Sequence, residues 1–235
     1  MRITIVYDNR SLKQNLVPDW GFACVVEVPG YRLLFDTGAK GELLQANMTG
    51  LGITLAMIEA VVISHDHWDH TGGLKAVLKQ TRTPCYLPAS ATRLSAAITA
   101  AGSTCVPVTS RTQLWPRVWS TGELGDTIKE QSLVVESNKG VVLITGCAHP
   151  GILEISRQVS LDFGRSPCLV LGGFHLGQTS PQEVEGLIRT IRALGIARIG
   201  PAHCTGEEAT GLFQREWADG FELISCGRVL ELEAR

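Results

Sequence analysis

Between an apolar run of strand length at residues 60–64 and a helical pattern at 71–80, six consecutive positions read His65-Asp66-His67-Trp68-Asp69-His70. Half of the chain's six histidines and two aspartates fall in that window. Such a loop limits the fold severely, because it demands a rigid strand before it, a helix after it, and a polar cavity to receive it; α/β folds build such sites at the C-terminal ends of strands. In extended backbone residues two apart face the same way, so His65 and His67 can converge on one metal ion. Asp69 and His70 follow as the chain turns into the helix, and point to a neighbouring position. Imidazole with carboxylate suits zinc, iron or manganese rather than calcium or magnesium, which prefer oxygen shells.

A metal site needs more donors than one loop offers, and the other histidines stand where they can supply them. His149 closes "GVVLITGCAHPG", His175 closes "CLVLGGFHLG" and His203 closes "IARIGPAHCTG", so all six histidines lie at the ends of strand-like runs. The seven cysteines are odd in number and form no C-x-x-C pair, which predicts reduced, mostly buried thiols. Cys147 and Cys204 lie nearest the histidines in sequence. Ligation by them is weighed and set aside, since histidines already fill the neighbouring positions.

Strand-length apolar runs recur in both halves: "RITIVY", "FACVVEV", "YRLLF", "PCYLP", "SLVVES", "GVVLIT", "CLVLGG" and "RVLELE". Helical patterns lie between them, at "GGLKAVLKQ", "SATRLSAAITAAG" and "GILEISRQVSLDF". Two later helices carry start signals, Ser180-Pro181 with Glu183 and Thr205 with Glu208. No linker or repeat interrupts this pattern, which predicts a single α+β domain over residues 1–235. The segment "YDNRSLKQNLVPDWGF" at 7–22 is long for a connection between strands, and reads as either a wall over the site or a surface loop. A net charge of -2 carries none of the basic excess of a nucleic-acid binder. The opening run is broken by Asp8 and Asn9, too early for a signal peptide or membrane span, and a cytoplasmic protein is expected.

The motifs "FDTG" at 35–38, "SHDHWDHTGGL" at 64–74, "TGCAHPG" at 145–151 and "HCTG" at 203–206, in this order, resemble those of the metallo-β-lactamase superfamily. The resemblance implies a four-layer αββα sandwich with a dinuclear site at the edge of its two sheets. It further implies that His65, His67 and His149 hold one metal and Asp69, His70 and His203 the second, the two being transition-metal ions of which zinc is expected first, iron or manganese next. Asp36 would support the site without ligating, or simply form a turn. "TGCAHPGI" and "GGFHL", with "VYDN" near the start, are similar to the branch that includes 7,8-dihydropterin-6-methyl-4-(β-D-ribofuranosyl)aminobenzene 5'-phosphate synthase. One departure stands out. Dinuclear members carry a bridging aspartate after the strand "CLVLGG", whereas Gly172-Gly173-Phe174-His175 offers no carboxylate. His175 is left to ligate one metal or to stand behind it as a proton donor.

The expected activity is hydrolysis or group transfer through metal-bound hydroxide, with Asp69 orienting the water and His175 protonating the leaving group. The substrate is expected to be small, phosphorylated or heteroaromatic, of the pterin-precursor kind. Its binding residues, and the oligomeric state, are not legible. The alternatives are a di-iron redox or oxygen-binding protein, and a non-catalytic metal-binding module. No nucleic-acid or membrane partner is expected.

Overall fold

The computed structural model describes residues 1–232, in which two β-sheets stack face to face with helices on both outer surfaces. The first sheet holds β1 (Arg2–Tyr7), β2 (Ala23–Val28), β3 (Tyr31–Phe35), β4 (Ala60–Val62), β5 (Cys85–Pro88) and β6 (Cys105–Val108). The second holds β7 (Ser110–Trp115), β8 (Val118–Gly122), β9 (Leu133–Ser137), β10 (Gly140–Thr145), β11 (Pro167–Gly173) and β12 (Arg198–Ala202). Strand β13 (Val229–Glu231) returns to the edge of the first sheet beside β1. Helices α1 (Gly41–Gly50), α2 (Trp68–Thr71), α3 (Leu74–Gln80) and α4 (Thr92–Ala100) fall in the first half of the chain. Helices α5 (Ile152–Phe163), α6 (Pro181–Ala193) and α7 (Glu207–Trp217) fall in the second. This is the αββα sandwich expected from the sequence.

Period-2 alternation sorts the strand residues into three cores. Ile3 and Ile5 of β1 and Phe35 of β3 meet Val142 and Ile144 of β10 and Leu171 of β11 between the sheets. Their neighbours Val6, Leu34 and Val61 face outward against Leu44, Met48, Val77 and Ile98 of the first-half helices. On the far side Val141, Leu143 and Val170 pack against Ile155, Ile188 and Phe213. Strands buried on both faces need apolar residues at every position, which is why "GVVLIT" reads as an unbroken run. Each such side chain contributes roughly 1.5–3 kcal/mol on burial.

Local signals explain the helix starts unevenly. Ser180 caps α6 with the reciprocal box that Glu183 completes. Thr205 does not cap α7, contrary to the sequence reading: the helix begins after Gly206, and Thr205 instead donates to the Ala202 carbonyl at 2.7 Å and accepts from the Phe174 amide at 3.0 Å. It ties the end of β12 to the end of β11. The last run, "RVLELE", forms strand only over Val229–Glu231, and its Glu233 lies outside the described residues. Among the described residues no helix is long and apolar enough to cross a membrane.

Strands β3 and β4 run parallel, as do β10, β11 and β12. Their C-terminal ends therefore deliver loops from both sheets to one rim. Gly72 belongs to this delivery. A Cβ there would lie 2.0 Å from the Ala39 carbonyl oxygen, so glycine lets the histidine loop press against the segment after β3. The glycines of the "TGGL" stretch thus serve close backbone packing.

Candidate metal centre

His65, His149, His175 and His203 follow closely on the ends of β4, β10, β11 and β12, His67 and His70 come in with the turn into α2, and the backbone at this rim is bent sharply. Asp36, Ala148, His175 and His203 all adopt left-handed conformations, with φ of 58°, 57°, 52° and 48°. Non-glycine residues rarely do so, and four at one rim mark a place where packing holds side chains in imposed directions.

What fixes the imidazoles is the partner of each Nδ1. His70 Nδ1 donates to Asp36 Oδ2 at 2.7 Å, His149 Nδ1 to Glu130 Oε2 at 2.8 Å, and His203 Nδ1 to Asn9 Oδ1 at 3.0 Å. His65 Nδ1 donates to Ser64 Oγ at 2.9 Å, and that hydroxyl passes its own proton to Asp36 Oδ2 at 2.7 Å. Carboxylate and amide oxygens only accept, so each Nδ1 carries the hydrogen and each Nε2 keeps a lone pair. Those lone pairs converge. Ligand atoms of His65, Cys147 and His149 lie within 4.8 Å of one another, and so do those of His70, Cys147 and His203. His67 joins with its Nδ1 at 3.0 Å from His65 Nε2.

The donor set fits transition-metal ions. His203 Nε2 is buried without a hydrogen-bond partner, yet faces Asp69 Oδ2 at 3.2 Å. A lone pair aimed at a carboxylate is repulsive unless a cation sits between them. Burial, reinforced by the charge of His70, pushes His65 down to about 3; burial with the charge of His203 pushes His70 down to about 4. Both rings are therefore neutral at pH 7, the form in which imidazole ligates.

Supporting groups are buried as deeply as the histidines. Burial pushes Asp36 up to about 7, against the opposing charge of His65 and the Ser64 hydrogen bonds. Both readings of Asp36 hold: it takes the strained turn after β3, and it anchors His70. Glu130 was not singled out by the sequence. Its Oε1 accepts from the amides of Cys147 and Ala148, both at 2.9 Å, and its Oε2 from the amide of His149 at 3.0 Å in addition to the imidazole. Burial alone would raise this carboxyl, but the bonds from His149 and the charge of His65 hold it well below the usual range.

Above the histidines the site opens to solvent. Trp20 of the 7–22 segment donates from Nε1 to Asp69 Oδ2 at 2.9 Å and lies 4.8 Å from the His203 ring. That segment is a wall. Trp20 and Trp68 are 48% and 64% exposed, so Trp68 is not core packing. A cleft of about 390 Å³ runs beside His203, with Asp8, Arg10, Trp20 and Glu207 in its lining. The larger cavity, about 760 Å³ between α3 and α4, includes none of the clustered histidines. His175 stands exposed at the rim with its ring 4.5 Å from that of His149, and its ligand atom within 4.8 Å of the sulfurs of Cys147 and Cys204. A hydrogen bond with Cys204 raises its pKa against the effect of burial. Contact between the two thiols, with burial, raises Cys147, whereas Cys204 is lowered by Cys147 and His175 although burial opposes this. Cys147, which the sequence reading passes over in favour of the histidines, has its sulfur in all three groups of donors.

The model of the metallo-β-lactamase superfamily matches residues 20–96. The crystal structure of Tm1679, a metal-dependent hydrolase of the β-lactamase superfamily, is similar with a TM-score of 0.86 and 29% identity over 98% of each chain. The chain therefore has the metallo-β-lactamase superfamily fold, with side chains able to hold one or two metal ions at its strand ends. Among characterised sequences it is 25% identical to the 7,8-dihydropterin-6-methyl-4-(β-D-ribofuranosyl)-aminobenzene-5'-phosphate synthase of Methanocaldococcus jannaschii, over 91% of each chain. The fold is also shared with an isothiocyanate hydrolase from Delia radicum gut bacteria, at a TM-score of 0.67 and 16% identity over the full length of both.

Proposed function

We propose that the chain is a dinuclear metal-dependent hydrolase or group transferase for small substrates. His65, His67 and His149 would hold one ion, and Asp69, His70 and His203 the other. The observation that carries this reading is the set of four Nδ1 hydrogen bonds that leaves four Nε2 lone pairs directed inward. Zinc fits the nitrogen-rich set best; bound there, it lowers the pKa of water to about 7 and polarises a carbonyl or phosphoryl oxygen.

The chain's own residues supply the rest. Trp20 Nε1 holds the Asp69 carboxylate, which would orient the attacking water. His175 at the open rim would hold a proton for the leaving group, since a hydrogen bond with Cys204 raises its pKa. The exposed rings of Trp20 and Trp68 favour a ring-bearing substrate. Likeness along nearly the whole length of the dihydropterin synthase supports a pterin-type precursor as the first substrate to try. Elemental analysis should find up to two transition-metal ions per chain, and the double change His65→Ala with His67→Ala should strip one. A screen over phosphomonoesters, phosphodiesters, lactones, thioesters and pterin-pathway intermediates should then find turnover that chelation abolishes. Finding no metal after reconstitution, or turnover indifferent to chelation, would overturn the reading.

A further inference from the structure

The donors of the two half-sites are joined by a sulfur. Cys147 is 3% exposed, and its Sγ lies 3.1 Å from His70 Nε2. Because His70 Nδ1 already carries its ring proton, the contact is an S–H donated to the Nε2 lone pair. A proton thus occupies a gap between two ligand atoms, which is what a metal replaces. Cys147 Sγ belongs with His65 and His149 on one side and with His70 and His203 on the other. No other residue appears in both groups.

The position is built as firmly as the histidines'. The Cys147 amide donates to Glu130 Oε1 at 2.9 Å, and the left-handed turn at Ala148 separates the thiol from His149 so that both reach the centre. The end of β11, meanwhile, has no room for a carboxylate-bearing side chain at Gly173. A Cβ there would meet the Gly146 carbonyl oxygen at 2.4 Å, Cys204 Sγ at 2.7 Å and Cys147 Cα at 3.2 Å. The backbone of residues 146–147 and the Cys204 sulfur fill the space into which such a side chain would grow. The buried, unpartnered Nε2 of His203 is aimed into the same group.

We propose that Cys147, as a thiolate, is the ligand shared by the two metal positions, in place of a bridging carboxylate. The proposal rests on the dinuclear reading above. As metal enters, the S–H proton leaves to solvent, and the sulfur offers lone pairs to both cations; a neutral imidazole has only one to give. A thiol that coordinates a cation is deprotonated outright. Cys204, half-buried and grouped only with Cys147 and His175, remains outside the shared position.

X-ray absorption on the zinc-loaded full-length protein tests this directly. A sulfur scatterer is expected at about 2.3 Å beside nitrogen and oxygen at about 2.0–2.1 Å. The cobalt-substituted protein should show a sulfur-to-metal charge-transfer band. Cys147→Ser should lose both signals and bind zinc at least about tenfold more weakly, the smaller loss seen when only a supporting partner is removed. Cys204→Ser should keep both. Metal bound by nitrogen and oxygen alone in the unmodified protein would overturn the proposal and leave the dinuclear reading intact. A sulfur signal that survives in Cys147→Ser would also overturn it, whereas no bound metal at all would overturn both. The spectrum of the unmodified protein decides the matter even if a variant fails to fold.

Discussion

Glu130→Gln changes one buried oxygen to nitrogen and nothing in shape, yet should do more damage than most changes at the histidines. Two donors converge on each carboxylate oxygen, the Cys147 and Ala148 amides on Oε1 and the His149 amide and imidazole on Oε2. A glutamine must present its NH₂ to one pair or the other, so two charge-assisted hydrogen bonds are lost however the amide turns. At roughly 1.5–3 kcal/mol each, the loss is about 3–6 kcal/mol. Burying a neutral amide costs less than burying a carboxylate, which returns part of this and leaves about 2–4 kcal/mol. If the NH₂ faces His149, the ring can accept it only by moving its proton to Nε2, and the lone pair aimed at the centre disappears. Metal affinity should then fall about 10–100-fold. Urea unfolding of the metal-free proteins measures the first effect, and competitive zinc titration the second. A destabilisation under about 1 kcal/mol with zinc affinity unchanged would refute the reasoning, because neither pair of donors could then depend on the charge.

Three further outcomes follow from the same contacts. On the proposed assignment of Asp69 to the second metal and its water, Asp69→Asn should suppress turnover by at least about tenfold while metal-free stability moves little; equal turnover at equal metal content would dismiss that role. Ser180→Ala removes the cap and half of the reciprocal box on α6, and should cost about 1 kcal/mol by urea denaturation with activity unchanged. Glu222 is held below the usual carboxylate range, since the bonds from Arg228 and Arg198 outweigh burial. Its folded pKa is depressed, so its contribution is full above about pH 4.3, the unfolded value, and fades as pH falls further; Glu222→Gln should be less stable than the unmodified protein at pH 7 and converge with it in acid.

The histidine loop was legible because its donors are consecutive and flanked by a strand and a helix. His149 and His203 could be found at strand ends only because the apolar runs before them are unbroken. Glu130 had no such signal: it lies in "DTIKEQS", a polar stretch whose importance depends on the loop at 146–149 folding onto it. Asn9 likewise acts across 194 residues of sequence. Cys147 was visible, but counting histidines gives no hint that its sulfur lies within all three groups of donors. Strand β7 escaped because "SRTQLW" is mostly exposed, and β8 because "VWSTG" is buried but carries the polar Ser120 and Thr121. Thr205 and Glu208 have the spacing of a capping box, but tertiary bonds to Ala202 and Phe174 claim the threonine first.

The division of donors between two sheets has a kinetic consequence. His65, His67, Asp69 and His70 follow β4 in the first sheet, whereas Cys147, His149 and His203 follow strands of the second. Neither half can assemble the centre alone, and pairings as distant as Asn9 with His203 form only once the chain's two ends have met. Contacts of such long sequence separation are slow to close. Cations present during refolding should therefore leave the early, helix-forming phases untouched and act on the last one, where the sheets dock, retarding their separation more than they hasten their meeting.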